Sequence, residues 1–210
     1  MQISLEKVGK KFNRDWIVRG ASFTFAPGGA YAITGPNGSG KSTLLQLIAG
    51  LLPVTEGNVG YAEAGRPLPA EGAFRRLAVA APYLELIEEF TLTELLGFHR
   101  QFKPLVGGLS NAGFLEITAL HAARHKPVRH FSSGMKTRVK LGLAFLSDVP
   151  LLLLDEPTSN LDAAGTAWYA RMLQTYGPGR TVIICSNQPY EYESVPVVLT
   201  IRNAHLETNP

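Results

Sequence analysis

A nine-residue loop near the N-terminus constrains the fold of this chain most. Residues 35–43 read Gly-Pro-Asn-Gly-Ser-Gly-Lys-Ser-Thr, between an apolar stretch at 30–34 and a helix-like stretch at 43–49. Glycines let the backbone curl until successive N–H groups converge on one point, and such a loop before a helix binds phosphate. The sequence therefore predicts a strand, a phosphate-binding loop and a helix whose N-terminus faces the phosphates.

Two side chains at the end of this loop carry the predicted chemistry. Lys41 places a positive charge against the β- and γ-phosphates of a nucleoside triphosphate, and the Ser42 hydroxyl can bind Mg²⁺. The other residues of the predicted phosphate site are Gly35, Pro36, Asn37, Gly38, Ser39, Gly40 and Thr43. Gly50 and Pro53 mark the predicted end of the following helix.

A second phosphate-site pattern lies in the C-terminal half. Leu151–Leu154 is an apolar run typical of a buried strand, and Asp155 and Glu156 follow it directly. Open α/β sheets bind ligands at the carboxyl ends of their strands. Asp155 is predicted to hold Mg²⁺ through its water shell, and Glu156 to act as general base toward the attacking water. By itself an acidic pair after an apolar run is often a helix start, so the interpretation depends on the loop at 35–43.

The order of elements indicates an α/β chain with a helical insertion. Short strand candidates fill the first 34 residues, and a capping box at Thr91 and Glu94 begins a helix-rich stretch that extends to about residue 147. From Leu151 buried strands and helices alternate again, which predicts a mostly parallel sheet. We expect a core formed by 1–82 and 148–210 and an inserted helical subdomain at about 83–147.

Composition narrows the class of protein. No run approaches the ~20 apolar residues that span a bilayer, the N-terminus lacks a basic, apolar leader, and Cys185 is alone. These features predict a reducing, cytoplasmic setting. The net charge of +3 is weak evidence, and the basic residues at 121–129 lack interleaved aromatics, which argues against a nucleic-acid partner. His121, His125 and His130 have no nearby acids, so a solvated helical face is favoured over zinc.

On these residues the whole chain resembles the ATP-binding cassette (ABC) superfamily. Phe131–Met135 occupies the place of the family signature Leu-Ser-Gly-Gly-Gln, and 159–162 resembles the D-loop. The resemblance implies an α/β P-loop NTPase (RecA-like) fold with an N-terminal antiparallel β-subdomain, and it implies ATP and Mg²⁺ as cofactors. It adds Ser132, Ser133, Gly134 and Asp162 to the nucleotide site. It also implies that Phe12 stacks on adenine, with Trp16 as the alternative.

The signature segment bears on assembly. Ser-Ser-Gly before a helix is, by itself, an ordinary helix cap. In the family this segment closes on the γ-phosphate bound by a second subunit. The resemblance therefore implies a head-to-tail dimer, homomeric or heteromeric, with two ATP molecules at its interface.

Three departures from the family pattern concern turnover. Pro82 stands where the family has a glutamine, so Mg²⁺ must use water or Glu85. Asn187 stands where the family has a histidine that contacts the γ-phosphate; Asn can donate a hydrogen bond but cannot carry charge. Alternatively, Asn187 caps the local strand–loop transition. Ser133 and Met135 replace Gly and Gln in the signature. We expect secure ATP binding, slow hydrolysis, and Glu156 and Asn187 as the catalytic residues.

The leading interpretation is the ATPase subunit of an ABC transporter, peripheral on the inner face of the cell membrane. Its partner would be an integral membrane subunit, docked near Pro82–Glu89. One alternative is an ABC-type ATPase acting on ribosomes or chromosomes, although the second cassette or long coiled coil of such proteins is absent from the sequence. Another is a small-molecule kinase or GTPase, which shares only the P-loop; residues 187–190 do not supply a guanine-reading Asn-Lys-x-Asp.

Overall fold

Two β-sheets organise the chain in this computed structural model, which describes residues 1–208. The strands are β1 (Gln2–Phe12), β2 (Asp15–Phe25), β3 (Ala30–Thr34), β4 (Glu56–Glu63), β5 (Arg66–Leu68), β6 (Leu77–Ala80), β7 (Leu151–Asp155), β8 (Thr181–Cys185), β9 (Val197–Arg202) and β10 (His205–Thr208). The α-helices are α1 (Lys41–Ile48), α2 (Ala70–Ala73), α3 (Leu92–Arg100), α4 (Asn111–Ile117), α5 (Ser133–Leu146) and α6 (Ala163–Tyr176).

The smaller sheet is antiparallel and has the order β2-β1-β4-β5. The larger sheet has the order β10-β9-β3-β8-β7-β6; its strands run parallel except for β10, which pairs antiparallel with β9. The predicted α/β class, with an N-terminal antiparallel sheet and a mostly parallel one, is confirmed.

The larger sheet separates two hydrophobic cores because successive side chains of a strand face opposite sides. In β8, Val182 and Ile184 pack with the core that includes α5 and α6. Ile183 and Cys185 pack with the opposite core, which contains α1 and the inner face of the antiparallel sheet. Burial on both faces explains why β7 and β8 read as continuous apolar runs.

The segment between β6 and β7 is helical, with α3, α4 and α5 separated by short 3-10 turns. The capping box that begins α3 is formed as predicted: Thr91 accepts a hydrogen bond from the Glu94 backbone, and the Glu94 carboxylate accepts one from the Thr91 backbone. The subdomain boundaries near 82 and 148 remain a prediction.

Strand order determines where the functional loops meet. β3, β8 and β7 are neighbours and run parallel, so their carboxyl ends share one edge of the sheet. The loop at 35–40, Asn187 and the Asp155-Glu156 pair follow these three strands. Residues more than 100 positions apart in sequence therefore converge at this edge.

Candidate active site

The loop between β3 and α1 depends on its glycines. Gly35 has φ +142° and Gly40 has φ +105°, in the range that disfavours side chains. A Cβ added to Gly35 would lie 2.6 Å from the carbonyl oxygen of Ile201, and one added to Gly40 would lie 2.7 Å from that of Ile17. Within the described part of the chain, residues 1–208, no side chain caps α1, so its first N–H groups face the loop without a side-chain partner. This arrangement suits an anion.

A cleft of about 300 Å³ lies over this helix end. It is lined by Phe12, Ile17, Asn37, Gly38, Gly40, Lys41, Ser42, Thr43 and Glu156. Lys41 is only 5% exposed, and its Nζ donates hydrogen bonds to the carbonyl oxygens of Gly35 at 2.7 Å and Pro36 at 3.2 Å. The ammonium group is thus held within the loop, at the floor of the cleft.

Asp155 is a buried acid with unsatisfied oxygens. The residue is 2% exposed, and neither carboxylate oxygen has a hydrogen-bond partner among residues 1–208. Burial raises the pKa of Asp155 to about 6; the neighbouring Ser42 opposes the rise, while the charge of Glu156 adds to it. Two unpaired carboxylate oxygens beside a serine hydroxyl are hard donors that suit Mg²⁺. The residues present therefore fit the ion.

Glu156 adopts a conformation that is unfavourable for a side chain, with φ +42°. Its backbone N–H donates to the carbonyl oxygen of Cys185 at 2.9 Å, which ties this turn to the end of β8. The side chain is exposed and lines the cleft together with Lys41 and Ser42. Strained backbone of this kind persists where the surrounding structure holds it, and it is common at active sites.

Asn187 lies against the phosphate loop. Its Oδ1 accepts a hydrogen bond from the Gly35 N–H at 3.3 Å, and its Nδ2 donates to Asn37 Oδ1 at 3.0 Å. The local turn is capped by its neighbour instead, since Ser186 Oγ accepts from the Gln188 N–H at 2.8 Å. The side-chain hydrogen bonds of Asn187 are therefore with the loop, and among residues 1–208 none supports the alternative of a local cap.

The two aromatic candidates for the base face different clefts. Phe12 is 46% exposed and lines the cleft that contains Lys41, and the Lys10 Nζ lies 5.1 Å from the centre of its ring. Trp16 lines another concavity, formed by the outer side of the loop and residues 200–204. The side chains of Lys11 and Arg19 lie over the Trp16 ring. This geometry favours Phe12.

The signature residues form a separate cleft of about 430 Å³, lined by Ser132, Ser133, Gly134, Met135 and six further residues that include Asp162. Ser132 caps α5 as predicted, its Oγ accepting from the Met135 N–H at 3.2 Å. Asp162 caps α6, its Oδ1 accepting from the Gly165 N–H at 2.7 Å. None of the residues that line the phosphate cleft also lines this one.

Two residues near the site were not singled out in the sequence. Burial, and after it the charge of Asp155, raise the pKa of the Tyr83 phenol. Glu191 is buried and contacts the loop after β7. At Pro82, Lys140 Nζ donates to the carbonyl oxygen at 3.0 Å. In the sequence, the one indication for Tyr83 was its place directly after Pro82, the position where the family has a glutamine.

Comparison with known proteins now decides the family. Residues 18–159 match the domain profile described as "ABC transporter".

The chain belongs to the ABC transporter family.

It is 32% identical over 199 residues to the cytochrome c biogenesis ATP-binding export protein CcmA of Chelativorans sp., covering 92% of this chain and 95% of that protein. It is 35% identical over 192 residues to the Nod factor export ATP-binding protein I of Sinorhizobium fredii, covering 88% of this chain and 55% of that protein, so it spans about half of that relative. A solved dimeric cassette of a bacterial ABC transporter shares the fold, with a TM-score of 0.82 at 22% identity over 98% of this chain and 96% of the other.

These findings confirm the predicted family, and they confirm an ATP-binding subunit with ATPase activity of the ABC transporter class. The alternatives of a ribosomal or chromosomal ATPase and of a kinase or GTPase gain no support from them. Within residues 1–208, no helix combines the length and apolar character needed to cross a bilayer.

Proposed function

We propose that this ABC cassette hydrolyses ATP at composite sites in a head-to-tail dimer and drives an integral membrane transporter subunit. One observation carries the proposal: Lys41, Ser42 and Glu156 line a single cleft, whereas the signature residues line another. A chain built in this way offers a phosphate-binding half-site and, elsewhere, a second half-site at the N-terminus of α5, where a helix favours an anion. Two copies are needed to bring the two kinds of half-site together.

In the phosphate cleft, the residues divide the work of binding. The N–H groups of the loop and of α1 receive the phosphates, Lys41 neutralises their charge, and Phe12 covers the adenine. Asp155 and Ser42 would hold Mg²⁺, which when bound neutralises charge on the β- and γ-phosphate oxygens. Ile17 supplies apolar contact beside the base. Each role requires only a residue that already lines or borders the cleft.

Hydrolysis falls to the two polar side chains at the edge of the sheet. Glu156 is exposed toward the cleft and accepts a proton from the attacking water as general base. Asn187, held against Gly35, donates a hydrogen bond to the γ-phosphate. Because Asn187 carries no charge, it stabilises the developing negative charge less than an imidazolium would, and slow turnover follows.

The Glu156→Gln variant tests this function. Gln keeps the shape of the side chain but removes its basicity, so turnover should fall by about 10²-fold or more while ATP binding persists. Size-exclusion chromatography with ATP and Mg²⁺ should then show a stable dimer that the wild type forms only transiently. A variant that hydrolyses ATP at the wild-type rate would exclude Glu156 as the base. A variant that binds ATP tightly but stays monomeric would contradict the composite site.

An exposed aromatic surface that includes Phe98 of α3 and the residues that flank this helix supports a membrane partner. Phe98 and Phe102 are 40% and 62% exposed, and the ring centres of Phe90, Phe98 and Phe102 follow each other at 5.8 and 5.1 Å. Phe74 extends this surface through Lys103, whose Nζ lies 4.8 Å from its ring centre. Contiguous exposed apolar surface of this kind marks interaction sites. By contrast, Glu88 in the predicted groove is paired with Lys136 within the chain.

Co-purification from detergent-solubilised membranes tests the surface. Wild-type chain should recover a multi-span membrane protein, identified by mass spectrometry, and the Phe98→Ser/Phe102→Ser variant should lose it while binding ATP normally. Val197→Ser, at an exposed apolar position outside the surface, is the control. Undiminished recovery by the double variant would exclude this surface, and recovery of ribosomal proteins by the wild type would favour the alternative function. The export functions named for the two relatives make an exporter the first partner to seek.

A further inference from the structure

Glu191 is a buried acid that joins two loops of the active site. It lies in the 3-10 turn Pro189–Glu191, four residues after Asn187, and is 2% exposed. Its Oε1 accepts hydrogen bonds from both the backbone N–H of Thr158, at 2.8 Å, and the Thr158 hydroxyl. Thr158 belongs to the loop that begins with Glu156. One carboxylate oxygen thus holds the loop after β7 against the loop after β8.

The backbone around Glu191 is itself anchored. Tyr169 of α6 is buried, and its hydroxyl donates to the Glu191 carbonyl oxygen at 2.8 Å. The Glu191 N–H donates to the Gln188 carbonyl oxygen at 3.0 Å. The carboxylate is therefore presented from a fixed backbone, and Thr158 takes its position from it. Such an arrangement transmits rigidity from the helix to the loop.

The second oxygen of Glu191 has no hydrogen-bond partner among residues 1–208. A cavity of about 240 Å³ adjoins this group, and Glu156, Ser159 and Asn187 also line it. Burial of a carboxylate with one unpaired oxygen lowers the stability of the fold, so such a group is a candidate for a functional role. The unpaired oxygen of Glu191 therefore adjoins a cavity that is also lined by Glu156 and Asn187, the two residues to which hydrolysis is assigned.

We propose that Glu191 is a positioning residue for ATP hydrolysis, which sets the loop of Glu156 relative to the loop of Asn187 through Thr158. This inference rests on the proposed roles of Glu156 and Asn187. On this proposal, Glu191 affects turnover because its side chain is long enough to place an acceptor oxygen at Thr158, and not because it carries a negative charge. Misplacement of a catalytic group by an ångström can cost about a hundredfold in rate, so a single hydrogen-bonded tie can matter.

Three substitutions in the full-length chain separate reach from charge. Glu191→Gln keeps an acceptor oxygen at the same distance and should retain nearly wild-type turnover. Glu191→Asp keeps the charge but is one methylene shorter, and Glu191→Ala removes the tie. Both should lower kcat by about ten- to hundredfold with little change in KM for ATP. The same three substitutions at the exposed Glu193 are the matched control and should leave kcat unchanged.

Two further measurements distinguish positioning from general destabilisation. Amide hydrogen exchange should increase in residues 156–162 of Glu191→Asp, while ATP affinity and the thermal midpoint stay close to those of Glu191→Gln. Wild-type kcat in Glu191→Asp, or loss in Gln with retention in Asp, would overturn the proposal. Glu156→Gln is measured in the same series. Full activity of Glu156→Gln would refute the role of Glu156. If Glu156→Gln is inactive and Glu191→Asp is fully active, only the role of Glu191 is refuted.

Discussion

The side-chain amide of Asn187 is bonded to the backbone of Gly35, the first residue of the phosphate loop, although the two lie 152 positions apart in the chain. The bond is 3.3 Å long, and the other end of the same amide donates to Asn37 at 3.0 Å. Both partners belong to the loop that is proposed to bind the phosphates. When ATP binds, the Nδ2 group of Asn187 can therefore exchange its hydrogen bond to Asn37 for one to a phosphate oxygen.

Substitution of Asn187 should change turnover more than stability. Asn187→Ala removes a hydrogen bond to a charged group, usually worth ~1.5–3 kcal/mol, so hydrolysis should slow by about tenfold or more. Asn187→His should raise turnover and introduce a titration step between about pH 5.5 and 7.5 that the wild type lacks at this position. Steady-state rates across pH measure both effects. An Asn187→Ala variant as fast as wild type would eliminate the γ-phosphate role.

Removal of the Lys41 ammonium should weaken ATP binding without unfolding the chain. A charge-assisted contact of this kind contributes ~1.5–3 kcal/mol, so affinity should fall by about one to two decades in Lys41→Ala. Titration with a fluorescent ATP analogue gives the affinity. Lys126→Ala, at an exposed lysine remote from the loop in sequence, is the control. Equal affinity in the Lys41 and Lys126 variants would contradict the phosphate site.

Substitution of Phe12 and of Trp16 should have different effects on ATP affinity, because only Phe12 is expected to stack on the adenine base. Stacking of a base on an aromatic ring is worth ~1–3 kcal/mol by alanine substitution, so Phe12→Ala should bind ATP about tenfold more weakly. Phe12→Tyr keeps the ring and should bind normally. Trp16→Ala should leave affinity unchanged, because Trp16 lines the concavity on the other side of the loop. The reverse pattern in the same titration would assign the base to Trp16.

His99 should make the folded state sensitive to acid. Its Nε2 lies 2.8 Å from Ser147 Oγ, whose own proton goes to the Leu143 carbonyl oxygen, so the ring donates through its Nε2–H. Burial, reinforced by the charge of Lys103, lowers the pKa of His99 to about 4 from an ordinary value of 6.5. Below pH 6.5 the unfolded chain therefore binds a proton that the folded chain excludes.

The free energy of unfolding should then decline as the pH falls from about 6.5 to about 4, by up to ~3 kcal/mol from this group, and level off below. His99→Gln retains a donor toward Ser147 without a titratable ring. Urea denaturation at several pH values should show a shallower decline in this variant. If the free energy of unfolding declines equally with pH in the variant and the wild type, the pKa of His99 does not differ between the folded and unfolded states.

The sequence by itself determined the elements whose causes are local. Backbone curvature at Gly35 and Gly40, the helix caps at Thr91 and Ser132, and the acidic pair that ends β7 each depend on neighbours a few residues away. Their spacing was enough to predict the α/β order and to name Lys41, Ser42 and Glu156, which line one cleft, as candidate site residues. The sequence also limited the aromatic residue that stacks on adenine to two candidates, Phe12 and Trp16.

Only the tertiary structure decided which of these elements meet. The bond of Glu191 to Thr158 spans 33 positions, and neither residue belongs to a recognisable pattern. The aromatic surface at the end of α3 is likewise visible only in the folded chain, where packing leaves Phe98 and Phe102 exposed. The physical reason is that such contacts follow from the order of parallel strands and from packing between sequence-distant groups, and no local propensity encodes either.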